Sequence, residues 1–340
     1  MISKKLTPPL RLLADQALLN HLPIVHPARR RIEDDLGNYR SGFIGQQNLA
    51  YFLDLSDLGK KARIFNDLHP EGFQMDTLIL TPTFISIIEC KNYSGTLIFN
   101  SENGQIIRCI GDRRDGFANP LLQVGRHRKL LKRWLAACGN PPLPIEADVV
   151  IASPSTIIEN QARSRRVQNH VFRAEQAPHK LRAMMEKHTR DRDYSLILQK
   201  IEEQLRQDHT DPFTDVLEKL SIYPSELLRG VQCPSCHRFT MQCIYAGWHC
   251  PSCNGKSKTA HEPMILDYFL LLGRTMSNAQ CRAFLKIESS MTMSNLLRKM
   301  NLEKAGSGTG SGIYYKAPPL ERIAQHVELY KRTIPRRSTR

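Results

Sequence analysis

The stretch that decides the fold runs from Gln74 to Lys91 and reads QMDTLILTPTFISIIECK. It holds two apolar runs, Met75 to Leu80 and Phe84 to Cys90, separated by Pro82-Thr83, which reads as a tight connection. Both runs are apolar enough to be central strands of a sheet. Residues two apart on a strand point to one face, so Glu89 and Lys91 project together from the end of a run whose other members are buried. A charge in that place is costly unless it is paired or metal-bound. If the two runs form a hairpin, Asp76 on the first lies near Glu89 on the second. Two carboxylates so placed can hold Mg²⁺ or Mn²⁺ through oxygen and leave positions for water and phosphate oxygens. A nearby lysine can orient that water or stabilise a charged transition state. The arrangement suits phosphodiester hydrolysis. The same residues also read as a buried ion pair, Glu89 with Lys91, closing a strand end.

Working outward, ARIFNDL (62–68) precedes this pair as a third strand-like run. TLIF and QIIRCI follow as weaker strands around the turn signal Asn103-Gly104, and ADVVIAS (147–153) is a further buried-strand candidate. GQQNLAYFLDLSDL (45–58) places Leu49, Phe52, Leu53 and Leu55 at helical spacing. Asn119-Pro120 opens a long helix that stops at Gly139. Its Leu121, Leu122, Leu130, Leu131, Trp134 and Leu135 can pack on the sheet. Arg126, Arg128, Lys129, Lys132 and Arg133 crowd the remaining surface, and such like-charge crowding is relieved by DNA phosphates. A merely solvated basic face reads the same way. His127, taken alone, indicates no catalytic base.

The segment IFNDLHPEGFQMDTLILTPTFISIIECKNYSG (64–95) resembles the nuclease-related domain family, NERD, of the PD-(D/E)xK nuclease superfamily. Asn119-Pro120-Leu121-Leu122-Gln123 is similar to the family's next motif, and the resemblance spans about Gly42 to Ser153. It implies an α/β, restriction-endonuclease-like mixed sheet flanked by helices over residues 42–160. It also implies Asp76 and Glu89 as ligands of Mg²⁺ or Mn²⁺, Lys91 as the catalytic lysine, and Gln123 orienting phosphate or water. Gln123 is equally readable as a polar residue of a helix N-terminus. One departure stands out. The family pattern has Gly-Glu in the first helix, where this chain has Gly45-Gln46. An amide oxygen can ligate a metal but brings no negative charge, so metal affinity is reduced unless Glu71 or another acid compensates.

The chain has 340 residues and a net charge of +15 with a pI near 9.5, which points to a polyanionic partner. Its 41% hydrophobic and 24% charged content is that of a soluble globular protein of two or three domains. No apolar run reaches the ~18 residues of a membrane span. The N-terminus is interrupted by Pro8, Pro9 and Asp15 and lacks the pattern of a secretory signal, so a cytoplasmic, nucleic-acid-associated protein is expected. In a reducing compartment the nine cysteines favour metal binding over disulfides. Cys90, Cys109, Cys138, Cys243 and Cys281 read as packing residues.

Cys233-Pro-Ser-Cys236 and Cys250-Pro-Ser-Cys253 form C-x2-C-x13-C-x2-C, resembling a zinc ribbon with one structural Zn²⁺. Residues 229–260 are assigned to it. Residues 161–228 read as a helical connector or cover, and 1–41 as an irregular N-terminal extension. Residues 261–316 read as a helix-turn-helix-like, winged-helix-like domain. Ser277 with Gln280 makes a capping box. The third helix starts at Ser289 or Ser290 and buries Met293, Leu296, Leu297 and Met300. It shows Thr292, Asn295, Arg298 and Lys299 outward, as a recognition helix does. GSGTGSGIYYK is the candidate wing, and 317–340 a basic tail. A small helical packing domain is the competing reading of 261–316. The combined expectation is a metal-dependent DNA nuclease with C-terminal DNA-binding modules. Its rival is a DNA-binding protein that keeps a nuclease fold without efficient catalysis. RNA is the weaker partner, since no aromatic RNA-binding signature is present. Oligomeric state is not readable.

Overall fold

The computed structural model describes every residue except 1, 60–61, 101–103, 212, 246, 308–311 and 326–340. The chain divides into two units: residues 1–7 with 40–211, and residues 8–39 with 212–340. The N-terminal forty residues are thus shared between them.

That segment corrects one expectation. After the short β1 (Ile2–Lys4), residues read as irregular form α1 (Leu10–His21) and the first turns of α2 (Arg29–Asp54). α1 is buried on nearly every side, through Leu10, Leu12, Leu13, Ala17 and Leu18, so its apolar residues mark no single face. The opening of α2, RRRIEDDLGNYRSG, is polar and carries Gly37 and Gly42, which weaken any helical signal.

In the first unit, β2 (Arg63–Leu68), β3 (Met75–Leu80) and β4 (Ile85–Lys91) are followed by β5 (Thr96–Asn100), β6 (Gln105–Ile110) and β7 (Arg113–Ala118). Then come α3 (Pro120–Ala137), β8 (Ile145–Ile151), β9 (Ile157–Glu159), α4 (Arg165–His170), β10 (Val171–Arg173), α5 (Ala177–Lys187) and α6 (Ser195–Asp208). The main sheet has the order β1-β2-β3-β4-β8-β10. β3 runs antiparallel to β2 and β4, whereas β8 is parallel to β4 and β10. β7-β6-β5-β9 make a second sheet. The fold is therefore a mixed α/β one.

Strand alternation builds two cores. Leu78, Ile87, Val149 and Ile151 point to one face, where Leu121, Val124, Leu131 and Leu135 of α3 and Leu198, Ile201 and Leu205 of α6 cover them. Ile79, Ile88 and Val150 point to the other, under Leu49 and Leu53 of α2 and Ala177 and Leu181 of α5. Each such aliphatic side chain, once buried, contributes roughly 1.5–3 kcal/mol. The helix start at α3 is fixed by Asn119, whose side chain accepts from the Leu121 N–H, and by Pro120 in the first turn.

In the second unit, α7 (Val216–Leu220) leads to the hairpin strands β11 (Gln242–Ile244), β12 (Gly247–His249) and β13 (Lys256–Ser257). α8 (His261–Leu271), β14 (Thr275–Ser277), α9 (Asn278–Leu285), α10 (Ser290–Lys299), β15 (Lys304–Ala305) and β16 (Tyr314–Lys316) complete it. The last three strands pair antiparallel in the order β14-β16-β15. α8 is buried all round and packs on α1. His21 of α1, fully buried, ties the pair together: its Nδ1 lies 2.7 Å from the Leu228 carbonyl and its Nε2 3.1 Å from Asp267. The centre of the glycine-rich wing and most of the basic tail lie outside the described residues. Cys243 is exposed on β11, against its reading as a packing residue. Among the described residues, no helix is long and apolar enough to cross a membrane.

Candidate active site and metal centre

The hairpin of β3 and β4 closes through Thr81, whose N–H donates to the Phe84 carbonyl and whose Oγ1 accepts from the Phe84 N–H. This turn sets the register: Thr77 faces Ile88 and Leu78 faces Ile87. One step further along, Asp76 comes beside Glu89. Asp76 Oδ2 accepts the Cys90 N–H at 2.9 Å. Glu89 is buried, and Lys91 Nζ donates to its Oε1 at 2.7 Å while remaining partly exposed. The ion pair expected of Glu89 and Lys91 is thus present, with a second carboxylate next to it.

Two neighbours were not foreseen from the sequence. His127, buried on α3, brings Nδ1 to 3.6 Å from Glu89 Oε2, and that nitrogen has no hydrogen-bond partner among the described residues. It was invisible because only the docking of α3 on β4 places it there. Gln123 lies one turn earlier on α3, half-buried, on the face that carries His127. The second neighbour is Asp67. The pairing of Asn66 with Thr77 and of Leu68 with Met75 sets it against Asp76 across β2 and β3. Its backbone is left-handed (φ 49°), and its Oδ1 takes Gln74 Nε2 at 2.7 Å and His69 Nε2 at 2.8 Å. Asp67, Asp76 and Glu89 therefore form an acidic row across three strands.

The electrostatics follow from burial. Burial and the adjacent Glu89 charge push the Asp76 carboxyl up to about 7, against the Cys90 N–H and Lys91, which stabilise its charge. Burial pulls Lys91 down, but Glu89 and Asp76 outweigh it and hold the ammonium above its ordinary range. Burial is the main cause that depresses His127, with Arg126 and Lys91 adding to it against Glu89. The donor set fits a divalent cation: hard oxygen ligands, and two carboxylates whose mutual repulsion a cation relieves.

Gly45 shows how α2 meets this sheet. A Cβ there would come within 2.6 Å of Asn92 Cβ, just past Lys91, so glycine is required for the close approach. Asn92 in turn donates to the Ser41 carbonyl at 2.7 Å. The next residue, Gln46, has a buried Oε1 with no partner among the described residues. Arg126, Arg128, Lys129, Lys132 and Arg133 are all exposed on α3.

In the second unit the Sγ atoms of Cys233, Cys236, Cys250 and Cys253 all lie within 4.8 Å of one another. The Cys233–Cys253 and Cys236–Cys250 sulfurs are each 3.6 Å apart, close to the ~3.8 Å edge of a tetrahedron with Zn–S bonds of about 2.3 Å. The two turns are built alike. His237 and Asn254, each following the second cysteine of its pair, are both left-handed with φ 58°. Each donates its N–H to the carbonyl of the first cysteine. Trp248 is buried and Tyr245 is fully exposed. On α10, Ser289 caps the helix, Met293, Leu297 and Met300 are buried, and Asn295, Arg298 and Lys299 are exposed. Leu296, expected inside, is only half-buried.

Residues 41–173 match the nuclease-related domain family, NERD. The first unit therefore contains a nuclease-related domain, and its acidic hairpin falls inside the matched segment. No curated protein and no solved structure compared with the chain matches it.

Proposed function

We propose that the protein is a metal-dependent deoxyribonuclease that holds DNA through its C-terminal unit. The observation that carries this reading is the pairing of half-buried Asp76 with buried Glu89, with Lys91 beside them, at the end of a hairpin inside a nuclease-related domain. Asp76 and Glu89 hold Mg²⁺ or Mn²⁺ in this reading. When bound, that ion supplies charge neutralisation at the phosphate and a more acidic water. The ammonium of Lys91, kept charged by its acidic neighbours, orients the attacking water or steadies the phosphate oxygens. Water adds to phosphorus, the bond to one sugar oxygen breaks, and a proton ends on that leaving oxygen. Gln123 and the basic residues of α3 position the phosphate backbone.

The four cysteines hold one structural Zn²⁺, since four filled positions leave none for substrate. α10 acts as the recognition helix of a helix-turn-helix, with Asn295, Arg298 and Lys299 toward the groove of DNA. A hollow of about 520 Å³ between α9, α10 and the wing strands adds Arg282 and Lys304 to that surface. A second reading, a DNA-binding protein with little hydrolysis, is favoured by one observation: Gln46 brings an uncharged oxygen where the family pattern has a glutamate. Incubation with linear, circular, single-stranded and branched DNA, with Mg²⁺, Mn²⁺ or no divalent ion, separates the two. Metal-dependent cleavage supports the first. Tight binding without cleavage under every condition supports the second.

A further inference from the structure

A second hollow in the C-terminal unit, about 660 Å³, lies between the β11–β12 hairpin of the cysteine module and α10. Its volume is that of a small-ligand site. Ile244 and Tyr245 stand at its rim, exposed at the hairpin tip. Asn295 and Lys299 line it from α10, and Lys258 lines it from the segment that follows β13. Glu262 is the acid among its lining residues.

His261 forms part of this lining and is almost wholly buried. Its ring stacks on Trp248, with centroids 5.7 Å apart, and its Nδ1 lies 3.0 Å from Trp248 Nε1. An indole nitrogen only donates, so His261 Nδ1 must accept. The proton of the neutral imidazole then sits on Nε2, which has no partner among the described residues. Burial, with Lys299 nearby, lowers His261 to about 4, so the ring is neutral near pH 7. Nε2 is closed to solvent in this arrangement. A buried N–H without an acceptor is unfavourable, and a small shift of the ring that opens it to a ligand carbonyl or phosphate oxygen in the hollow relieves it.

We infer that this hollow binds an unpaired nucleotide of DNA, with the base stacked on Tyr245 and an oxygen of that nucleotide accepting from His261 Nε2. The inference rests on the DNA-binding reading above and names the DNA form it favours: duplex on α10 running into single strand at the cysteine module. An exposed tyrosine is a stacking platform that any base satisfies. The two lysines answer the phosphates on either side of that base. Apolar side chains at such a position also serve as wedges that keep a step unstacked, a role Ile244 fits.

The test uses the full-length protein with its metal-binding cysteines intact and measures fluorescence anisotropy. The probes are a short oligothymidylate, an abasic oligomer of equal length, a duplex, and an oligouridylate RNA. Wild type should bind oligothymidylate about tenfold more tightly than the abasic oligomer, the scale of one stacked base. Tyr245→Ala should erase that difference and leave duplex affinity unchanged, and Tyr245→Phe should restore it. Unchanged zinc content checks that the variants fold. If Tyr245→Ala binds oligothymidylate as wild type does while duplex binding persists, the nucleotide site is overturned and the DNA-binding reading stands. If wild type binds neither duplex nor single strand, the DNA-binding reading itself fails. Tighter binding of RNA than of DNA would overturn the choice of DNA.

Discussion

Replacing Asp76 by asparagine should stabilise the metal-free protein while abolishing cleavage. Asn keeps an oxygen to accept the Cys90 N–H and removes only the charge. A carboxyl raised from 3.8 to about 7 represents roughly 4 kcal/mol of disfavoured ionisation. Asp76 lies deep among protein atoms, yet part of its surface still meets solvent, so about half that value, ~2 kcal/mol, is expected. The sign follows from the order of the two pKa values. Between pH 4 and 7 the folded state holds a proton that the unfolded state has released. Wild-type stability is therefore full below about pH 4 and is lost as pH rises to about 7. Asp76→Asn lacks this loss, so its advantage is absent near pH 4 and largest above pH 7. Urea unfolding after dialysis free of Mg²⁺ measures it. Trp134 reports on the first unit in a Trp248→Phe background, its indole N–H donating to Asp208 at 2.7 Å. Mg²⁺ should then stabilise wild type and not the variant. An Asp76→Asn protein no more stable than its parent at pH 8 would refute the claim that Asp76 and Glu89 repel in a buried site.

Three further outcomes are expected. Gln46→Glu should lower the Mg²⁺ concentration needed for half-maximal cleavage by about tenfold, read from a metal titration; a raised requirement would remove Gln46 from the metal site. Cys250→Ser should lose the bound zinc and unfold the cysteine module while Trp134 fluorescence is unchanged, as elemental analysis and emission spectra would show. Arg298→Ala should weaken duplex binding and flatten the slope of log affinity against log salt by about 0.9, the contribution of one phosphate contact. An unaltered slope would place Arg298 off the backbone.

Much of the first unit was legible because its signals are local. The apolar runs around Pro82-Thr83 give β3 and β4 directly, and the two-residue period puts Glu89 and Lys91 on one face. The paired cysteines likewise carry their geometry in their spacing. What escaped depends on docking between distant segments. His127 meets Glu89 only because α3 lies on β4. Asp67 joins the acidic row only through the β2–β3 register. α1 showed no helical face because it is buried all round, and its partner α8 follows about 240 residues later. The hollow between the cysteine module and α10 needed the fold as well, since its floor at His261 and its rim at Tyr245 share no sequence motif.

On the proposed function, Asp76, Glu89 and Lys91 form a hydrolytic centre rather than a structural ion pair. The most direct measurement is the initial rate of cleavage of supercoiled DNA in Mg²⁺ by wild type and by Glu89→Ala, with Trp134 emission confirming that both are folded. The predicted result is a wild-type rate that requires the metal and falls at least about a hundredfold in Glu89→Ala, with DNA affinity largely kept. A folded Glu89→Ala protein that cleaves at the wild-type rate would contradict it.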